Sequence, residues 1–103
     1  MIENIYRLSV NNEKTIEKVL FDENVNFIHM VFNKGEGAPE HLSNANIYLT
    51  IIRGTLSINL GEQETHEYQA GTLLKIPSGV NMNIRNLYDD TLELIIVKSP
   101  IPK

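Results

Sequence analysis

Glycines and prolines recur in this chain at intervals that limit what it can fold into more tightly than composition does. Gly35, Gly37 and Pro39 fall within one short stretch and mark a tight turn. The run Ile47-Tyr-Leu-Thr-Ile-Ile52 follows, rich in β-branched and aromatic residues, and Gly54 stops it. A second stretch answers the first, from Gly71 to Asn86, built around Pro77 and Gly79. Turn-formers this closely spaced leave room only for short strands between them. Side chains two apart on a strand share a face. An extended chain from residue 41 onward therefore puts His41, Ser43, Ile47, Leu49 and Ile51 together, a polar entrance leading to an apolar floor.

The rest of the chain reads in the same way. Leu8 and Val10 alternate with Arg7 and Ser9, which predicts a short strand. Residues 12–21 fit a helix capped by Asn12, with Ile16, Val19 and Leu20 on one face, or a strand; the β character of everything downstream favours the strand. Further strands are expected over 25–32, 46–52, 55–60, 64–68, 73–76, 81–86 and 92–97, and Pro100 and Pro102 close the chain without helix. Strands at such short spacing, with Gly, Pro, Asn and Asp between them, indicate a sandwich or a barrel. The runs 25–32, 46–52 and 92–97 carry little polarity on either face. One face lining a barrel and the other packing on a partner would account for this, so a homodimer is expected.

A length of 103 residues predicts one domain, and 42% hydrophobic with 21% charged residues is ordinary for a globular chain. A net charge of −4 argues against general affinity for nucleic acid or an anionic membrane. The chain has no cysteine, which excludes disulfides and cysteine-built zinc sites. Its first residues lack the basic start and apolar core of a signal peptide, and no apolar run approaches a membrane span of about 18 residues, so the expected location is cytoplasmic.

The two turn-rich stretches resemble the paired motifs of the cupin superfamily, small double-stranded β-helix or jelly-roll barrels, over roughly residues 25–99. In the first motif Gly35 is followed in register by His41, Ser43, Ile47 and Gly54; in the second stand Gly71, Pro77, Gly79, Met82 and Asn86. The resemblance implies an all-β, RmlC-like barrel filling one domain over 1–103, with strands in residues 1–24 packing on the barrel or on a dimer partner. Cupins that bind metal use three histidines and a glutamate from these motifs. Here His41 alone is retained, and Ser43, Ile47 and Met82 occupy the other three positions. Isoleucine cannot ligate, serine is a weak ligand, and a thioether suits soft copper. The expectation is no cofactor and no metal, with His29 the one conceivable second imidazole.

Ligand-binding residues are then expected at His41, Ser43, Ile47, Leu49, Met82, Ile84 and Asn86, lining the lumen and its mouth, with Asn46 as a further polar candidate. Arg53 could reach an anion at a barrel end, but solvation is the favoured reading. His66 and the Asp89-Asp90 pair read as solvent-facing. The chain has no Gly-x-Ser-x-Gly, phosphate-binding glycine loop or His-Glu-x-x-His. The favoured function is binding of a small, partly apolar metabolite without metal catalysis. The alternatives are a metal-dependent or histidine-based cupin enzyme of isomerase, dioxygenase or decarboxylase type, and a structural or interaction protein whose barrel is simply filled.

Overall fold

The computed structural model describes residues 1–100, and within them nine strands lie between the expected turns. They are β1 (Thr15–Phe21), β2 (Asn26–Phe32), β3 (His41–Leu42), β4 (Ile47–Arg53), β5 (Thr55–Leu60), β6 (His66–Gln69), β7 (Leu73–Ile76), β8 (Asn81–Arg85) and β9 (Leu92–Lys98). A five-stranded sheet has the order β1-β2-β9-β4-β7, and a four-stranded sheet the order β3-β8-β5-β6. All pairings are antiparallel. Alternate side chains of both sheets meet in one core that includes Phe32, Ile47, Leu49, Ile58, Met82 and Leu94. Two antiparallel sheets closing on a shared apolar interior make the jelly-roll barrel. The expected end at Pro102 lies outside the described residues.

Gly54 shows why the turn spacing matters. Its φ is 82°, and a Cβ there would lie 2.4 Å from the carbonyl oxygen of Thr91. Only glycine accepts both the conformation and the approach, so the β4–β5 reversal can press against the start of β9.

Three expectations change. No strand forms over Leu8 to Val10; the first fourteen residues cross the outer face of the five-stranded sheet as irregular chain. Side-chain and backbone bonds hold them there instead of a ladder: the Ser9 amide donates to Glu17 Oε1 (3.1 Å), Asn33 Nδ2 to the Asn12 carbonyl (2.7 Å) and Arg53 Nη2 to the Asn11 carbonyl (3.1 Å). Next, β4 is not buried on both faces. Its outer side chains Tyr48, Thr50 and Ile52 are half-buried or exposed, and only Ile47, Leu49 and Ile51 are enclosed. Strand β2 is enclosed on both faces over Ile28–Phe32, as expected. Finally, the extended run from His41 to Ile51 is broken. The chain leaves β3 in one sheet, crosses at 43–46, and enters β4 in the other.

Candidate functional site

His41 pairs with Met82 across β3 and β8, and residues directly opposite on antiparallel strands project to the same side. Met82 is in the core, so His41 faces the barrel interior at its rim. Its Nδ1 lies 3.0 Å from the Pro39 carbonyl. A carbonyl only accepts, so Nδ1 carries the hydrogen and Nε2 is the nitrogen left for a ligand.

The other motif positions hold no comparable group. Ser43 is buried, and its hydroxyl donates to the Ala45 carbonyl at 2.5 Å. Its own amide and carbonyl tie the crossing to the β7–β8 turn through Val80 and Gly79. Ile47, Leu49, Met82 and Ile84 are fully enclosed and pack on one another. Asn86 is a structural clamp: Nδ2 donates to the carbonyls of Phe32 (3.0 Å) and Asp90 (2.8 Å), and Oδ1 accepts from the Tyr88 amide (2.9 Å). Asn46 Oδ1 accepts from the Ser78 amide at 3.3 Å. Among the described residues no three His, Cys, Asp or Glu side chains are grouped to hold a metal ion. The donor set does not fit the metal that cupin motifs imply. One imidazole remains, the serine oxygen is engaged, and an isoleucine and a core methionine complete the positions.

His29 does not join His41. It alternates with Ile28 and Met30, so it lies on the outer face of β2, where it is fully buried. Nε2 is 2.6 Å from Glu93 Oε2, and Nδ1 is 3.5 Å from Glu17 Oε2 with no hydrogen-bond partner. Glu93 Oε1 also accepts from Arg53 Nε at 2.9 Å. Arg53 therefore does not reach an anion at the barrel end. A register shift between Ile51 and Arg53 breaks the alternation, and Arg53 sits opposite Glu93 on the outer face. Hydrogen bonding from Ser9 holds the Glu17 carboxyl below its ordinary pKa, with His29 adding a smaller effect and burial opposing both. His66 and Asp89-Asp90 are exposed, as expected.

A cavity of about 280 Å³ opens beside His41, between the free edge of the five-stranded sheet and the turn at Pro39. Ile28, Met30, Ile96 and Ala38 form its floor; Ile16, Lys18, Lys98 and Pro39 complete the wall with His41. Of the seven residues expected to bind ligand, His41 lines this cavity and Ser43, Ile47, Leu49, Met82, Ile84 and Asn86 do not. The lumen deeper in the barrel, expected as the pocket, is occupied by the core itself at these positions. The other eight lining residues were missed, among them Ile16, Lys18, Ile28 and Lys98. One signal was legible: Lys98 follows Leu92, Leu94 and Ile96 at the inward parity of an apolar strand.

Residues 28–98 match the family model of the cupin domain. The chain is 38% identical over 104 residues to an uncharacterised protein of Methanocaldococcus jannaschii, covering all of this chain and 90% of that one. The crystal structure of that protein, an RmlC-like cupin with a double-stranded β-helix fold, superimposes with a TM-score of 0.94 over 97% of this chain and 93% of the other. A Streptococcus pyogenes protein of unknown function has a TM-score of 0.77 at 16% identity, covering 99% of this chain and 93% of that one. The cupin domain of Schizosaccharomyces pombe Cnp3 has a TM-score of 0.76 at 18% identity, covering 90% and 66%. At such identities the last two likenesses concern the fold alone.

Proposed function

The chain belongs to the cupin superfamily, and from that premise we propose that it binds a small, partly apolar metabolite at the mouth of its barrel, in a sensing or carrier role and without the metal of its catalytic relatives. The observation that carries this reading is the cavity beside His41, an apolar floor with polar groups confined to its rim. That combination is the usual form of a small-molecule site, and its volume lies just below the ~300–1,000 Å³ of drug-sized pockets. The occupant is correspondingly small. Metal-dependent chemistry is left out because of what stands at the ligand positions, Ser43, Ile47 and Met82. His41 would orient the occupant through Nε2, the ring nitrogen that the Pro39 carbonyl does not engage.

A thermal-shift screen against a broad metabolite library tests the reading, because any compound that binds only the folded state raises the melting temperature by mass action. We expect hits whose shift shrinks in His41→Ala. Silence across the library would favour the other reading the packed interior supports, a filled barrel that serves as a scaffold. Stoichiometric metal in untagged protein, lost in His41→Ala, would turn the assignment toward an enzyme.

A further inference from the structure

We infer that the mouth cavity selects an organic anion, a monocarboxylate with a short apolar body; this rests on the proposed binding role of that cavity. Register carries the inference. Lys18 pairs with Ile28 and Ile28 with Ile96, so the three stand in one row across β1, β2 and β9. Lys98 lies two residues beyond Ile96 on the same face. Both lysines therefore project from the lumen side of the sheet, where the neighbouring positions are apolar, and both line the cavity. Neither has a carboxylate within ion-pair distance among the described residues.

The nearby acids are turned elsewhere. Glu17 and Glu93 are on the opposite face with His29, and Glu40, next to His41 in the chain, has Oε1 engaged by Asn81 Nδ2 at 2.5 Å. The Lys18 ammonium rests 5.1 Å from the centroid of the Phe21 ring. That contact is a weak cation–π interaction at an exposed site, and a ligand carboxylate can outcompete it. Two ammonium groups at one rim, on a chain with a net charge of −4, give a local positive field against an acidic background, which concentrates small anions.

The floor decides what else the anion carries. Ile28, Met30 and Ile96 offer no hydrogen bonds, so an inorganic ion would gain nothing from them, whereas an aliphatic or aromatic body would gain apolar burial. At about 30 Å³ per water-sized unit, 280 Å³ takes roughly nine non-hydrogen atoms, the size of hexanoate or benzoate.

Methyl NMR of the full chain, labelled at isoleucine and methionine, tests this with hexanoate, hexanol and inorganic phosphate as probes. Hexanoate should move the methyls of Ile16, Ile28, Met30 and Ile96. Its Kd should rise about tenfold in Lys18→Met/Lys98→Met, the loss expected for charge-assisted hydrogen bonds, while hexanol binds more weakly and equally to both proteins. Lys18→Met alone, at an exposed edge position, keeps the test open should the double variant not fold; about threefold is then expected. Hexanol binding the wild type as tightly as hexanoate would overturn the anion preference and leave the cavity reading standing. Phosphate binding as tightly as hexanoate would overturn the apolar body. If none of the three moves these methyls, the inference and the cavity reading fall together.

Discussion

The two faces of β2 and β9 are buried by different means. On the outer face His29, Glu17, Glu93 and Arg53 meet under the N-terminal segment, with a histidine fully enclosed between two carboxylates. On the inner face of the same strands, Ile28, Met30, Leu94 and Ile96 join the apolar core, and the charged or polar side chains beside them, Lys18, His41 and Lys98, stand at the mouth. The outer cluster has the residue types of an acid–base site, but its groups are spent on one another and on the segment that covers them. The mouth has one histidine bound to a backbone carbonyl, and it has the cavity. Chemical richness and access to a ligand have separated onto opposite sides of one sheet. A histidine flanked by carboxylates is therefore no guide to function here, and the apolar side with a sparse rim is the better candidate.

The sharpest way to break this contrast is to restore an acid on the inner face. Ile47 stands where the cupin motif carries its glutamate and is fully enclosed in the core. Ile47→Glu should lower stability by about 4 kcal/mol, since a carboxyl there has no partner and must either be buried charged or take up a proton. Urea unfolding measures it. A loss under about 1 kcal/mol would mean that water or an ion reaches the interior, and the distinction between the two faces would collapse.

The strand boundaries were legible because they depend on local chemistry: Gly35, Gly54, Gly71 and Gly79 all have positive φ at turns whose spacing sets the strand lengths. The inward set of β4 was legible by alternation. What escaped depends on how strands are placed against each other. The bulge after Ile51 that sends Arg53 outward leaves no mark on the residue pattern. Nor could alternation alone place His29, because β2 is apolar on both sides and either parity reads alike. The cavity was missed for the same reason. It is lined from β1, β2, β9 and the Pro39–His41 stretch, segments far apart in sequence, whereas the motif positions Ile47 and Met82 converge on the filled core.

The two histidines offer a finer comparison. His29→Ala should cost about 2 kcal/mol in urea unfolding. It leaves Glu93 and Glu17 without the imidazole, but Arg53 still bonds Glu93 and both carboxylates are partly solvated, which holds the loss below the ~3–5 kcal/mol of a fully buried broken pair. His41→Ala removes one hydrogen bond from a half-exposed ring and should cost about 0.5–1 kcal/mol. Equal losses at the two positions, or a larger one at His41, would reverse the assignment of structural and ligand-facing roles.

The smallest effect is confined to the covering segment. Glu17 accepts the Ser9 amide, and its carboxyl is held below its ordinary value chiefly by hydrogen bonding from Ser9. A carboxyl whose folded pKa is depressed stabilises the fold fully above the unfolded value, and this contribution is lost as pH falls through the lower folded one. Acidification from about pH 5 to pH 3 should therefore loosen residues 1–14 before the barrel responds. Amide NMR resolves it: the Ser9 signal should shift and lose its protection relative to the intrinsic exchange rate at each pH in step with Glu17 protonation, while core amides such as Leu94 hold. Asp22, also lowered, by the amides of Asn24 and Val25, reports at those two residues, so the turn and the segment are read separately. If Ser9 stays protected until the core amides exchange, the segment is fastened by apolar contacts at Leu8 and by the Asn12 carbonyl. The outer charge cluster would then matter for the sheet and not for its cover.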